Sequence, residues 1–473
     1  MLIALLVSMM LDGAVPAADP PAPAAPPSET SATVSTPGTL GVLGTPNPLR
    51  QRPLFPVVLE IEKPADGPLR QLRAVWREHP SIRAGRNFRI DFTMKVQEDW
   101  RDPGDEPFLF EEWELHRLRF GVEGEIFRHI QYQVEREAKS SASANPLRSP
   151  WRDVYVETDY INNAQVRVGK FKVPFGLDAQ GGDSTLDFVY RSLGGQYLAP
   201  GRDIGVMVRG RFFDRALNYW VGGFKQDGEN SRSVKTIGVT GELVGIGERA
   251  GAGRLTVRPF RKLGGPLAEA ELGADYMFSD VSDDLVVPTG LRGRTVVSEY
   301  TFFDRVFVKG QRRRFGIDVD WAHGPFGAQA EFLQVTEARQ RQGLGDQDLN
   351  PARARSWYAV GSVVLTGEQK SGGVVPRKGL LVGGVGALEV ATRYEQLRFD
   401  SKPGQDPPFR NSRAETIFPS GDRVWTVGLN WYVNRWSKIQ VNGIREHATD
   451  LERSPTLDGS AYWSTVVRFQ LEL

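Results

Sequence analysis

Eight arginines stand where residue type and spacing point to chemistry. Arg89, Arg117, Arg119, Arg167, Arg209, Arg211, Arg393 and Arg468 each lie in a stretch where apolar and polar residues alternate, and each falls on the polar phase. A guanidinium stays charged at physiological pH and offers planar, fork-like donors that match phosphate and carboxylate oxygens. Arg117 and Arg119 flank Leu118, and Arg209 and Arg211 flank Gly210. In an extended strand each pair projects from one face, about 7 Å apart. Such rows suit the binding of small inorganic anions. The same polar phase carries Asp91, Glu123, Asp153, Glu157 and Asp159, so cross-strand ion pairing is the competing use of the arginines.

Other motifs are weaker. G-D-S-T-L at Gly182–Leu186 resembles the nucleophile block of some esterases, but the five histidines (79, 116, 129, 323, 447) are scattered along the chain. Loop chemistry explains it better, and no catalytic residue or cofactor is expected. Gly245–Gly253 has the glycine density of a dinucleotide loop without the flanking βαβ pattern, and reads as a turn between strands. Glu111, Glu112 and Glu114 read as an exposed acidic loop rather than a metal site. Gln311–Arg314 reads as a strand end facing lipid headgroups. One short basic run in a chain of net charge +1 does not make a nucleic-acid surface.

The elements that must position the arginines are strands. Phe88, Ile90, Phe92, Met94 and Val96 share one face against Asn87, Arg89, Asp91, Thr93 and Lys95. Similar alternation recurs at 117–123, 130–135, 153–160, 165–168, 204–211 and in later segments, ending with Trp425–Trp431 and Trp463–Leu473. Roughly eighteen such segments of about ten residues suit tilted membrane-spanning strands. A soluble sandwich gives the same alternation with the apolar row turned inward. Strand number and length favour a barrel, as do the connections. Some look tight (Gly121–Glu125, Asp214–Arg215, His323–Pro325), while others are long and charged (98–112, 139–150, 337–351, 400–422). Beyond the N-terminus no apolar run reaches spanning-helix length, and mean hydropathy is −0.35. The chain has no cysteine, which rules out disulfides and thiolate metal sites.

Residues 1–18 read as an export signal, with an apolar Leu2–Leu11 and V-P-A-A at Val15–Ala18 but no basic residue before the core. Residues 19–80 read as a Pro/Ala/Ser-rich tether, largely disordered, with a short helix around Leu69–Trp76. The barrel is expected over 81–473.

Several ordered stretches resemble the phosphate-selective porin O/P family of outer-membrane channels. They are G-K-F-K-V-P-F-G-L from Gly169, Y-R-S at Tyr190–Ser192, R-D-I-G-V from Arg202, N-Y-W-V-G-G-F from Asn218, L-T-G-E from Leu365, G-A-L-E-V-A-T-R-Y from Gly386 and W-T-V-G-L-N-W-Y-V-N from Trp425. The resemblance covers about Pro80 to the C-terminus and departs from the family at the last residue, Leu473, where an aromatic is usual. It implies an all-β transmembrane antiparallel barrel of about 16 strands (16–18), in the outer membrane of a Gram-negative envelope. It also implies that Pro174 to Arg202, including Pro174, Phe175, Tyr190, Arg191 and Arg202, folds inward as a constriction loop. The implied function is passive diffusion of small hydrophilic solutes, phosphate and other anions above all, by a homotrimer in contact with outer-membrane lipid. A barrel serving only as an anchor or adhesion scaffold is the alternative, and an outer-membrane hydrolase a more distant one.

Overall fold

Alternation fixes the strands, and pairing of each strand with the next in the chain fixes the architecture. The computed structural model describes residues 72–76, 80–85, 87–104, 112–139, 150–230, 235–237, 243–245, 249–282, 288–456 and 459–473. The expected export signal, nearly all of the expected tether, Glu111 and residues 246–248 lie outside the described residues.

A short hairpin, β1 (Leu72–Trp76) and β2 (Pro80–Ala84), precedes the wall. The wall consists of β3 (Phe88–Asp102), β4 (Trp113–Ile126), β5 (Ile130–Glu137), β6 (Trp151–Ile161), β7 (Ala164–Lys172), β8 (Arg202–Phe212), β9 (Leu217–Phe224) and β10 (Ala250–Val257). It continues through β11 (Glu271–Val281), β12 (Gly310–His323), β13 (Phe326–Arg339), β14 (Leu349–Val364), β15 (Ala387–Ser401), β16 (Ser420–Tyr432), β17 (Ser437–Ala448) and β18 (Tyr462–Glu472). Every consecutive pair is antiparallel, and β18 closes on β3 from Glu472↔Lys95 to Thr465↔Asp102. The closed wall therefore has sixteen strands within an eighteen-stranded sheet. β2 pairs with the first residues of β3, Phe88–Asp91, so it lies end to end with β18 along the same edge. Met94 and Leu473 exchange backbone hydrogen bonds where the two meet, at 3.1 and 2.9 Å. Leu72–Trp76, expected in a short helix, is a strand because Pro80–Ala84 supplies it with a ladder partner.

The apolar rows face outward. On β16, Trp425 and Val427 are each 51% exposed, while Thr426 and Asn430 are buried. On β11, Leu272, Tyr276 and Phe278 are exposed and Asp275, Met277 and Ser279 buried. A soluble sandwich requires the opposite order, whereas a barrel closed in lipid requires this one.

Connections mostly alternate in length as expected, although 258–270 and 365–386 are long connections on the short-turn end, and one expected turn is shifted. Gly121–Glu125 is interior to β4, and the turn follows at Phe127–His129, with Phe127 and Arg128 at φ 52° and 67°. Glycine in that strand answers a close approach instead: a Cβ on Gly124 would lie 1.9 Å from the Arg89 carbonyl oxygen. Of the glycine-rich run at Gly245–Gly253, Ala250–Gly253 belong to β10, while 246–248 lie outside the described residues. Two long connections, 173–201 and, in its described part, 288–309, fold into the barrel. The buried apolar cluster lies inside it, with Phe175, Leu193, Leu198, Leu291 and Phe302 from the loops against Met207, Met277 and Leu333 from the wall.

Candidate functional site

The first inward loop begins where Pro174 ends the β7 ladder, since proline has no amide hydrogen to give. It contains two short helices, α1 (Leu177–Gln180) and α2 (Leu193–Tyr197), the second capped by the Ser192 hydroxyl accepting from the Gly195 amide at 3.1 Å. Phe175 is fully buried, as are Leu193 and Leu198.

The loop is fastened around the barrel wall. Its amides donate outward: Gly176 to Asp275 on β11 (3.1 Å), Leu177 to Glu331 on β13 (2.6 Å), Val189 to Asn442 on β17 (2.8 Å) and Leu193 to Glu395 on β15 (2.5 Å). Its carbonyls accept from Lys438 at Ser184 and Leu186 (3.0 and 2.9 Å), from Asn430 at Asp187 (2.9 Å) and from Arg314 at Leu198 (3.0 Å). These partners stand on strands from β11 to β17, far in sequence from the loop. The loop therefore spans the lumen instead of lining one side of it.

Four of the eight arginines touch this loop. Arg117 and Arg119 on β4 reach Asp183 at 3.3 and 2.8 Å, and Arg191 from the loop itself reaches it at 2.6 Å. Burial alone would raise the Asp183 pKa, but Arg117, Arg191 and Arg119 outweigh it and hold the carboxyl well below its ordinary value. Arg393 donates to the Tyr190 carbonyl at 3.1 Å and lies 4.7 Å over the Phe188 ring. Arg468 forms a bidentate pair with Asp99, 2.6 Å for each bond, and donates to the Val189 carbonyl at 2.7 Å. Tyr190 stands edge-on to His116 at 6.1 Å.

The other four lie on the wall away from the loop. Arg89 pairs with Asp91 at 2.9 Å. Arg167 and Arg209 share Glu157, at 2.7 and 2.5 Å, and Arg167 stacks 3.9 Å over Tyr155. Arg211 faces Arg209 and Arg215, and among the described residues no carboxylate pairs with it. Arg202, the first residue of β8, pairs with Asp153 at 2.7 Å. Ion pairing thus occupies much of the arginine set, but on the β7–β8 side the guanidiniums outnumber their acids.

Several interior groups carried no signal in the alternation. Asp183, Glu331, Glu395, Lys438 and Asn442 hold the loop, yet each looks like one more polar-phase or loop residue. The second inward loop, 288–309, was also missed. Its Val296 amide donates to Glu446 on β17 at 2.8 Å, and Phe303 stacks on Phe399 at 4.2 Å and 8°. The apolar content of L-R-G-R-T-V-V at 291–297, unusual for a loop in water, was the available clue. Only half of Gln311–Arg314 faces outward: Gln311 and Arg313 are exposed, whereas Arg312 and Arg314 point inward, 1% and 0% exposed, each pairing with Asp227. Alternation decides this, because only Arg313 between them falls on the outward phase.

On the short-turn end, the connection 365–386 sends Lys370 upward to pair with Asp187 of the first inward loop and with Glu389 on β15. Burial would lower the Lys370 pKa, but the two carboxylates outweigh it and raise it.

Comparison with known proteins agrees with this geometry. A family profile described as "Phosphate-selective porin O and P" matches residues 82–473. Porin O of Pseudomonas aeruginosa is 30% identical over 129 residues, 26% of this chain, so the match spans about a quarter (27%) of that relative's length. The anion-selective porin from Comamonas acidovorans superposes with a TM-score of 0.47 at 14% identity, over 81% of this chain and 98% of that one. The outer membrane channel DcaP of Acinetobacter baumannii gives 0.47 at 9% identity, over 82% and 98%. Scores below 0.5 mark a general likeness of barrel and no more.

Proposed function

The chain belongs to the phosphate-selective porin O and P family, and from that premise we propose that it passes small anions, phosphate among them, passively across the outer membrane. The observation that carries the preference is the charge balance on the β7–β8 wall. Arg167 and Arg209 share the carboxylate of Glu157, and Arg211 adds a guanidinium whose charged neighbours among the described residues are Arg209 and Arg215. A near-neutral chain selects by local charge, and walls of low dielectric weaken the screening that bulk salt would provide. The inward loop supplies such walls by bringing apolar side chains such as Phe175 and Val189 into the lumen. The interior groups act by attraction and steric restriction; the reading is of a pore, not an enzyme. A signal at 1–18, a tether at 19–80, a barrel domain over 81–473 and a homotrimeric assembly belong to the same proposal.

The test is the zero-current potential of the purified channel in gradients of potassium chloride and potassium phosphate. Anion-preferring potentials are expected, and Arg211→Gln should move them toward cations, because Arg211 holds no other described side chain in place. Unchanged potentials in R211Q and in R209Q would leave a pore without arginine-based selectivity.

A further inference from the structure

Farther round the wall, on β10 to β13, the charge balance reverses. Across four adjacent strands the register sets Arg254 opposite Asp275, Asp318 opposite Gly273, and Glu331 opposite Asp318. Carboxylate oxygens of Asp275, Asp318 and Glu331 lie within 4.8 Å of one another, and all three residues are buried. The strands leave room for them: a Cβ on Gly273 would lie 2.3 Å from an Asp318 oxygen, and one on Gly316 would lie 3.0 Å from an Asp275 oxygen. Glycine at these two positions forms a cradle that the carboxylates fill.

Three buried acids this close repel unless something compensates them. Arg254 does so in part. Its Nη1 lies 2.7 Å from both Asp275 and Asp318, and its Nη2 lies 3.0 Å from Asp318. Three carboxylates against one guanidinium leave two negative charges, the complement of one divalent ion. The amides of Gly176 and Leu177 satisfy Asp275 Oδ2 and Glu331 Oε1. Glu331 Oε2 and the hydroxyl of Tyr358, the residue opposite Glu331 in register, are both buried and have no hydrogen-bond partner among the described residues. The candidate donors are all oxygens, carboxylate and phenol, which favours hard cations over zinc or copper.

We propose that Asp275, Asp318 and Glu331, with Tyr358 beside them, form a binding site for one hard divalent cation, calcium in type, at the root of the first inward loop. The site is independent of the anion-selective wall and opposite to it in sign. Because two of its acids also hold the Gly176 and Leu177 amides, an ion there fastens the loop where it leaves β7.

The full chain, folded from denaturant into detergent so that no lipopolysaccharide brings calcium with it, is stripped with chelator and titrated calorimetrically with Ca²⁺. One saturable site per chain is expected, with a raised thermal midpoint in calcium. Glu331→Gln removes one ligand charge and should weaken binding by at least about tenfold, while Tyr358→Phe weakens it less. Glu331→Gln also removes an uncompensated charge, so its midpoint in chelator should equal or exceed that of the unsubstituted chain, which separates lost binding from lost folding. Glu112→Gln, at an exposed acid, should leave binding unchanged. Absence of saturable binding, or equal affinity in E331Q, would overturn the proposal and assign a proton to the buried cluster instead.

Discussion

Replacing Asp183 by asparagine keeps the side-chain volume and removes the one carboxylate shared by Arg117, Arg119 and Arg191, which reach it at 3.3, 2.8 and 2.6 Å. At an effective dielectric of about 20, unit charges about 3 Å apart attract by about 5–6 kcal/mol. Desolvation takes back several kcal/mol per ion, and breaking a buried pair from one side costs about 3–5 kcal/mol net. Arg119 keeps Glu135 and Glu137, and Arg117 keeps Glu137 at 3.8 Å. The loss should therefore fall near the lower end, about 3 kcal/mol. It falls on the attachment of the loop, since the sixteen-strand ladder does not pass through Asp183. The barrel should fold, the loop should loosen at Gly182–Ser184, and three guanidiniums should lose a shared counter-charge at the inward loop. In planar bilayers D183N should show more open-channel noise than the unsubstituted protein and a zero-current potential shifted toward anions. The double variant D183N/R191Q, with one fewer cation, should recover part of the shift. Noise and potential both unchanged in D183N would refute the assignment of Asp183 as the counter-charge that fastens the loop.

Acid should imitate that substitution. The Asp183 carboxyl is held below its ordinary value, so its stabilisation is complete above the unfolded value of about 3.9 and is lost as pH falls through the folded value. Channel noise should stay constant from pH 7 to about 4 and rise below that, whereas noise in D183N should be insensitive across the same range. Gly124→Ala places a Cβ 1.9 Å from a backbone oxygen, while Gly253→Ala meets nothing nearer than 3.6 Å. Urea unfolding should show the first destabilised by at least about 1–3 kcal/mol and the second by well under that. Cysteine at Val427 or Leu429, on the outward row, should resist a water-soluble thiol reagent in native membranes, while cysteine at Thr93 or Arg211, on the lumen phase, should react; the reverse pattern would contradict the outward-facing apolar rows. Asn430 also faces inward but is fully buried beneath the loop, so cysteine there should react only when the loop is loosened by D183N.

The wall was legible because a period of two is hard to disguise. Phe92, Val427 and Leu429 stand on the outward phase where alternation puts them, and Arg209 and Arg468 on the inward one. What alternation does not carry is the partner of each inward residue. Arg119 meets Asp183 across 64 positions of sequence and Arg468 meets Asp99 across 369, so the division of the arginines between those that hold the loop and those that do not emerges only once the barrel closes. The inward course of Pro174–Arg202 came from family resemblance rather than from spacing, whereas for 288–309 the clue was the apolar run at 291–297. Gly121 and Gly124 misplaced a turn because glycine serves close strand approach as readily as it serves bends. Asp275, Asp318 and Glu331 lie far enough apart in sequence to look like ordinary polar-phase acids; register alone brings them together.

The central claim is that solutes cross the membrane through this barrel, past the inward loops. Its most direct test is recording from the purified full chain in a planar bilayer under salt on both sides. Stepwise conductance increments are expected, with a unit size that changes in D183N and R211Q while the barrel remains folded. A bilayer that stays silent after verified insertion of folded protein would contradict the claim and leave a closed barrel that serves only as an anchor.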